Sequence, residues 1–300
     1  MSRPSATRLE PFPHLRLVLD ARPSRAGTPL RDHQRLRRRL LHPRRSHLSC
    51  IAVSCSASVT RAMRRRRAIV GGREVEPRNR DPARDRRTSA LGDAYARALL
   101  TGDEVAAEIA IREAMDAELS TAEIDEEIIA PALWFVGELW ARGEISVADE
   151  HLATEISIRV IALQRESQRL ARQRRSSRVM LAACAGERHV VALRMVVNLL
   201  REAGYQVLML GADVPAQALA AAARRHRPEV ICLTATMPGG GDRVLIAMDD
   251  VLRAWPSARF VAGGRGLSSR VRERPGLAVC DRVSEAVEVV DAVLKRAELN

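Results

Sequence analysis

The stretch VMLAACAGERHVVALRMVVNLLREAGYQVLMLGADVP, residues 179–215, decides the fold. It contains an apolar run at 179–184, a helical segment from Val190 to Ala203 and a second apolar run at 207–210. Short, continuously apolar runs are typical of parallel strands buried on both faces, and the helix between them is the crossover that joins such strands. The stretch therefore predicts a βαβ unit in which both strands end at the same edge of a sheet.

The same alternation of strand and helix continues towards the C-terminus. Further strands are predicted at Val230–Leu233, Phe260–Ala262 and Ala278–Cys280, and further helices at 215–225, 243–254 and 284–296. This pattern predicts a Rossmann-like (flavodoxin-like) parallel sheet domain over residues 176–300, with helices on both faces. Ligands of such domains bind beside the loops that follow the carboxyl ends of the strands.

Residues 88–175 carry a helical period instead, with apolar residues repeating every three to four positions. Four helix starts are indicated by residues that commonly cap helices: Thr88 or Ser89, Asp103, Thr121, and Ser146 paired with Asp149. Short loops between four amphipathic helices predict a bundle. The predicted fold class is α/β, with a four-helix bundle cap followed by the sheet domain.

The net charge of +12 is concentrated in one part of the chain. Residues 1–87 contain 23 arginines and seven acidic residues, a net charge of +16, whereas the remainder contains 26 basic and 30 acidic residues, a net charge of −4. The basic balance therefore gives no argument for nucleic-acid binding by the folded part. Blocks of like charge predict a disordered basic tail over 1–87, and a basic arm that contacts nucleic acid or an acidic partner is the alternative.

The cysteines and the hydropathy pattern bear on the compartment. The five cysteines show no CxxC spacing, and three of them lie in or beside apolar runs. This usage predicts reduced thiols and a cytoplasmic protein. No run of 18 or more apolar residues occurs, so no membrane span is predicted.

The loop after the first strand, Gly186 to Ala192, contains the pair Glu187 and His189. A histidine just beyond a strand end can project a ring nitrogen into the crevice above the sheet. Glu187 can accept a hydrogen bond from the other ring nitrogen, which fixes the tautomer and raises the basicity of a ligating nitrogen. A Glu-x-His pair alone is more typical of a solvated loop than of a ligand, so the interpretation depends on what accompanies it.

Together with the strand ends that follow, this loop resembles the cobalamin (vitamin B12)-binding domains, whose signature is Asp/Glu-x-His-x-x-Gly. The resemblance extends from about Leu91 to Arg296. It implies that His189 is the lower axial ligand of cobalt in the base-off, His-on mode, within a binding loop that includes Glu187 and Arg188. The chain departs from the signature at Ala192, where the family usually has glycine, and this methyl group could crowd the corrin.

The resemblance extends to the later strand ends. Thr234 and Thr236 follow the third strand and Gly263 and Gly264 follow the fourth, where the family surrounds the nucleotide tail of the cofactor. Asp213, after the second strand, is a candidate to hydrogen-bond the corrin side chains, and capping of the helix that begins near Pro215 is its alternative role.

A glycine run, Met237 to Gly241, also follows the third strand. It lacks the Lys-Ser/Thr of a phosphate-binding loop. We interpret it as a flexible segment that could shape the opening through which a cofactor enters.

The helical segment resembles the cap of the light-sensing, adenosylcobalamin-dependent transcriptional regulators. The resemblance implies that Trp140, Val147, Glu150 and His151 lie over the upper face of the cofactor, with the indole as an apolar lid and polar groups near the ribose. The alternative is that Trp140 belongs to the bundle core and that Glu150 and His151 form a solvated helix start. Those regulators have a histidine directly after this tryptophan, where the present chain has Ala141.

The resemblance implies a cobalamin-binding sensor or regulatory protein that signals cobalamin or light to a transcriptional partner, with no catalytic residue of its own. Adenosylcobalamin is favoured by the bulky lid, and methylcobalamin is the alternative. Residues 1–87 show no winged helix-turn-helix pattern, so direct DNA binding is unsupported and a protein partner or homo-oligomer is expected. The alternative function is a corrinoid methyl-carrier subunit of a methyltransferase system, because the same two-domain layout serves both.

Overall fold

The computed structural model describes residues 69–70, 73–74, 82–167 and 175–298. A short antiparallel strand pair, Ile69–Val70 with Arg73–Glu74, precedes the first helix. Most of the predicted basic tail therefore lies outside the described residues, and its disorder stays a prediction. The domain boundaries at 87/88 and 175/176 also stay predictions.

The cap is built from helices that run in sequence from Pro82 to Ser167. Their bounds are α1 Pro82–Thr101, α2 Glu104–Asp116, α3 Thr121–Ile124, a π-helical turn Asp125–Ile129, α4 Ala130–Ala141 and α5 Val147–Ser167. The turn joins α3 to α4 without a break, so the cap has the four-helix layout that the sequence predicts.

Two of the predicted helix caps are confirmed. The Asp103 carboxylate accepts a hydrogen bond from the Ala106 N–H at 2.9 Å. Ser146 and Asp149 form a reciprocal capping box, with the Ser146 N–H donating to the Asp149 carboxylate at 2.9 Å and the Asp149 N–H donating to Ser146 Oγ at 3.3 Å.

The other two predicted caps are wrong. Helix α1 begins at Pro82, a residue that suits the first helical turn because its missing N–H would have no intrahelical partner there. Thr88 lies inside this helix, where its hydroxyl donates to the Arg84 carbonyl at 2.9 Å. Ser120, and not Thr121, caps α3, because Ser120 forms a capping box with Glu123.

The π-helical turn is a departure from the single regular helix that the sequence predicts. Pro131 is the second residue of α4, separated by one residue from the end of the turn. A proline within a helix lacks an N–H and clashes with the carbonyl four residues earlier. The wider turn accommodates it, with the Ala130 N–H bonding to the Asp125 carbonyl five residues back.

Five parallel strands form the sheet of the second domain. They are β1 Arg178–Cys184, β2 Gln206–Val214, β3 Val230–Thr234, β4 Arg259–Gly263 and β5 Leu277–Cys280, in the order β2-β1-β3-β4-β5. This is the doubly wound order of flavodoxin-like domains, whose ligand crevice lies where β1 and β3 meet. The predicted fold class is confirmed.

Helices cover both faces of this sheet. They are α6 Val191–Glu202, α7 Ala216–His226, α8 Gly240–Ala254, the short α9 Ser269–Arg272 and α10 Ala286–Glu298, with a 3₁₀ turn at Val283–Glu285. Alternate residues of β1 enter opposite cores: Leu181 packs with Leu193 of α6, and Met180 packs in the core that includes Val244 of α8. A strand buried on both faces explains why β1 reads as a continuous apolar run.

Strand β2 is longer than predicted. The sequence indicates a loop from Gly211, but the strand continues to Val214, with Ala182 opposite Gly211 and Cys184 opposite Val214. Two shifts of register accompany the extension, and Gly211 and Asp213 have positive φ angles of 94° and 52°. The bulged backbone keeps this edge strand paired beyond its apolar part.

The cap packs against α6 and the loop after β5. Met195 of α6 is buried in the bundle core. The Asn198 amide donates to the Ile161 carbonyl at 2.8 Å, and Glu126 of the π-helical turn accepts from the Ser284 N–H at 2.9 Å and from Arg282. Within the described residues, no helix combines the length and apolarity needed to cross a membrane.

Candidate functional site

The residues Glu187 and His189 form a hydrogen-bonded pair in the loop between β1 and α6. Glu187 Oε1 lies 2.6 Å from His189 Nδ1 and also accepts the backbone N–H of His189 at 2.8 Å. Glu187 is buried, whereas 61% of the His189 side chain is exposed. A buried carboxylate thus orients an exposed imidazole through the hydrogen bond that the sequence predicts, and ligation of cobalt by His189 stays a prediction.

The second carboxylate oxygen of Glu187 reaches the loop after β3. Glu187 Oε2 accepts hydrogen bonds from the N–H and the hydroxyl of Thr236, both at 2.5 Å, and from the Met237 N–H at 3.1 Å. Strands β1 and β3 are neighbours in the sheet, with Ala183 opposite Thr234. The Glu187 carboxylate therefore connects, through hydrogen bonds, the two loops that border the crevice.

The charge state of Glu187 determines the tautomer of His189. Burial favours the neutral carboxyl, but the hydrogen bonds from Thr236 and from His189 outweigh it and lower the pKa of Glu187 to about 2. An ionised carboxylate can only accept, so His189 Nδ1 must carry the proton. In the neutral imidazole this tautomer leaves the lone pair of Nε2 available, and such a nitrogen is a suitable ligand for a transition metal such as cobalt.

Asp213 holds the same loop from the side of β2. Its carboxylate accepts the Gly186 N–H at 2.5 Å, and its own N–H donates to the Glu187 carbonyl at 2.9 Å. The helix-capping role that the sequence left open is wrong, because Pro215 is the residue at the cap of α7 and Asp213 binds the His189 loop. Whether Asp213 also contacts a corrin stays a prediction.

The residues predicted after β3 and β4 also lie at this edge. Thr234 is opposite Gly263, and the Ala235 N–H donates to the Gly263 carbonyl at 3.1 Å. Gly264 has a φ of 109°, and a Cβ there would lie 2.3 Å from the Ala235 carbonyl oxygen. Close packing of the two loops thus already requires glycine at 264, and its predicted place beside the nucleotide tail stays a prediction.

The cap residues form a separate group. Trp140 and Val147 are about half exposed, so the bundle-core alternative for Trp140 is wrong. Glu150 Oε2 lies 2.6 Å from His151 Nδ1, and Glu150 Oε1 accepts from the Thr154 hydroxyl at 3.2 Å. Among the described hydrogen bonds, none joins this group to the His189 loop, so its place over a cofactor stays a prediction.

Sequence reasoning missed two contributors to the site. The Met237 N–H bonds to Glu187, and the guanidinium of Arg243 donates to the Ala185 carbonyl at 2.6 Å. Both depend on β3 lying beside β1, which no local pattern in the sequence indicates. Arg188, predicted as part of the binding loop, is exposed and has a side chain free to contact a ligand.

Replacing Glu187 with glutamine tests the pair directly. A glutamine presents an NH₂ group where one oxygen now accepts two or three donors, so we expect cobalamin affinity to fall about 10- to 100-fold, as for other residues that orient a metal-bound histidine. Affinity is measured by absorbance titration of the purified chain. Glu273→Gln, an exposed change in the same domain, is the control.

Equal affinity of the Glu187→Gln and Glu273→Gln variants would contradict the role of Glu187. A pH series adds a second check. Because the pKa of Glu187 is lowered from 4.5 to about 2, the contribution of its ionised carboxylate to the free energy of unfolding is complete above pH 4.5. This contribution is lost as the pH falls towards 2.

Comparison with known proteins agrees with this architecture. Two family profiles, both described as B12 binding domain, match residues 91–163 and 177–292. The chain is 27% identical over 220 residues to the HTH-type transcriptional repressor CarH of Myxococcus xanthus, covering 72% of this chain and 70% of the relative. It is 23% identical over 194 residues to monomethylamine corrinoid protein 1 of Methanosarcina acetivorans, covering 61% of this chain and 88% of the relative.

A solved structure shows the same fold. The monomethylamine corrinoid protein of Methanosarcina barkeri superposes with a TM-score of 0.59 at 19% identity, over 69% of this chain and 99% of that one. The helical cap and the parallel sheet domain each match a profile of B12-binding proteins. The chain belongs to the B12-binding domain family.

Proposed function

We propose that this protein binds cobalamin with His189 as the lower ligand and acts as a sensor or regulatory protein. The observation that carries the proposal is the Glu187–His189 pair, in which a buried, ionised carboxylate leaves Nε2 of an exposed imidazole free. Residues from the loops after β1, β3 and β4 surround the same edge, which suits a large ligand bound across several strand ends.

The cap supports the regulatory form of the proposal. Trp140 and Val147 are exposed apolar side chains, and Glu150 and His151 form a polar pair on α5, a combination that suits an adenosyl group. When bound, adenosylcobalamin would supply a cobalt–carbon bond that light can break. Loss of the upper ligand would free Trp140 and His151 to rearrange, which gives the two states that a switch requires.

A methyl carrier is the second candidate, and Ala141 is the observation that favours it. The light-sensing regulators have a histidine at the position of Ala141, so this chain lacks one side chain of their switch. The relatives of the corrinoid-protein type match over most of their own length, 88% in one case. In this form the site would hold a methyl group for a partner methyltransferase.

One binding experiment separates the two functions. The full chain is incubated in the dark with adenosylcobalamin or methylcobalamin, passed over a size-exclusion column, and its absorbance and elution volume are recorded before and after green light. A sensor is expected to retain the adenosyl form more tightly and to change its elution on illumination, as a protein or homo-oligomer partner is gained or lost. Trp140→Ala is expected to remove the preference for the adenosyl form.

Equal or tighter retention of methylcobalamin, unaffected by Trp140→Ala, would favour the methyl carrier. Failure to retain either corrin would contradict both functions. Direct DNA binding and a catalytic activity of the chain itself are not part of the proposal.

A further inference from the structure

The glycine run after β3 lets the start of helix α8 pack closely against the loop after β3 and against α9. Gly239 has a φ of 77° and caps the helix, and Gly240 and Gly241 are buried in its first turn. A Cβ at Gly240 would lie 2.9 Å from the Ala235 Cβ, and one at Gly241 would lie 2.8 Å from Val271. The glycines of this run therefore allow close packing of the helix start, in addition to forming the flexible segment that the composition indicates.

This placement lets Arg243, in the first turn of α8, reach back to the His189 loop. Its Nη1 donates to the Ala185 carbonyl at 2.6 Å, and its guanidinium lies directly over Gly186. A Cβ at Gly186 would be 1.9 Å from Arg243 Nη1, and the φ of Gly186 is 76°. The positive φ favours glycine at 186, and a side chain there would displace the guanidinium of Arg243.

The loop that carries His189 is consequently held from two sides. Asp213 of β2 binds the Gly186 N–H and the Glu187 carbonyl, and Arg243 of α8 binds the Ala185 carbonyl. The two contacts come from different elements, because Asp213 belongs to β2 and Arg243 to the helix that follows β3. The Glu187 hydrogen bonds orient the imidazole within the loop, whereas Asp213 and Arg243 fix the loop itself.

We propose that Arg243 is a positioning residue that holds the His189 loop in the conformation needed for the histidine to ligate cobalt. The inference rests on the proposed binding of cobalamin by His189. Arg243 need not touch the cofactor for this role, since it acts through the backbone of Ala185 and Gly186. A histidine that is already held in place loses less conformational entropy when it binds the cobalt. The Arg243 contact is therefore expected to raise the cobalamin affinity and the fraction of cofactor with a histidine lower ligand.

The test compares Arg243→Met, Arg243→Lys and Arg253→Ala in the full chain loaded with cobalamin. Arg253, on the same helix, is exposed and pairs with Asp250, so it controls for loss of a surface charge. Absorbance spectra between pH 5 and pH 8 give the fraction of cofactor with a histidine lower ligand, and thermal melting of the unloaded chain gives its stability.

Arg243→Met is expected to lower cobalamin affinity about 10-fold and to move the loss of histidine ligation to higher pH, with the melting temperature of the unloaded chain nearly unchanged. Arg243→Lys should recover part of the effect, because an ammonium group can donate to the Ala185 carbonyl. Arg253→Ala should match the unmodified chain in both measurements.

Gly186→Ala gives an independent check, because its methyl group displaces the Arg243 guanidinium. We expect the effects of Gly186→Ala and Arg243→Met on ligation to be less than additive in the double variant. Histidine ligation by Arg243→Met equal to that of the unmodified chain would overturn the inference and leave the proposed function intact. If the unmodified chain binds no cobalamin, the proposed function itself fails.

Discussion

Replacing His189 with alanine is expected to reduce cobalamin affinity by more than about 100-fold, since loss of the ligand should exceed the 10- to 100-fold effect of losing a residue that orients it. The remaining contacts from the loops after β3 and β4 would still bind the corrin weakly. The visible spectrum of any residual complex should lose the features of histidine ligation. Titration with cobalamin in the dark, followed by absorbance, measures both effects.

His226→Ala is the matched control. His226 ends α7, and its carbonyl accepts from Arg178 at the start of β1, so it lies at the opposite edge of the sheet from His189. Its replacement should leave cobalamin affinity unchanged. A His189→Ala variant with the affinity and spectrum of the unmodified chain would show that another group ligates the cobalt.

Replacing Asp125 with asparagine is expected to stabilise the protein at neutral and alkaline pH. Asp125 is fully buried in the π-helical turn, and neither carboxyl oxygen has a hydrogen-bond partner in the described part of the chain. Burial raises its pKa to about 8, an effect that the nearby Gln164 amide partly offsets and that Glu126 and Glu202 reinforce. The carboxyl is therefore neutral at pH 7, and ionising it costs stability.

The sign of the pH dependence follows from this shift. The pKa of Asp125 is raised from 3.8 in the unfolded chain to about 8 in the folded protein. The contribution of Asp125 to the free energy of unfolding is therefore fully present below pH 4 and is lost as the pH rises to 8. At 1.36 kcal/mol for each pH unit, Asp125→Asn is expected to raise the free energy of unfolding by about 5 kcal/mol at pH 8 relative to its effect at pH 4.

Urea unfolding at several pH values measures this difference. Asp116→Asn, in the same cap, is the control, and it should show the pH profile of the unmodified chain. Parallel pH profiles for Asp125→Asn and the unmodified chain would contradict the raised pKa of Asp125.

The sequence predicted the second domain well because its strands are buried on both faces. Each of the five apolar runs is a strand, although β2 continues past its apolar part through the bulges near Gly211. The cap was predicted less accurately at two helix starts. Pro82 can begin a helix without a side-chain cap, so the Thr88 signal was misleading, and a regular helical period does not reveal the π-helical turn that precedes Pro131.

The candidate site, like the fold, has contacts that the sequence could predict and contacts that it could not. The contact between Glu187 and His189 is local and could be predicted from their spacing. The bonds from Thr236 and Arg243 depend on β3 lying beside β1, which is set by the strand order. The burial of Asp125 could not be predicted either, because the π-helical turn determines which side chains face the core.

The central claim is that His189 is the lower ligand of the cobalt, and electron paramagnetic resonance of the bound, reduced Co(II) form tests it most directly. A single nitrogen ligand splits the high-field lines into triplets when it is ¹⁴N and into doublets when it is ¹⁵N. The full chain is prepared with ¹⁵N-labelled histidine and loaded with unlabelled cobalamin. Doublets are predicted, because the ligating nitrogen comes from the protein. Triplets that persist in the labelled protein would contradict the account, because the ligating nitrogen would then belong to the cofactor or to a residue other than histidine.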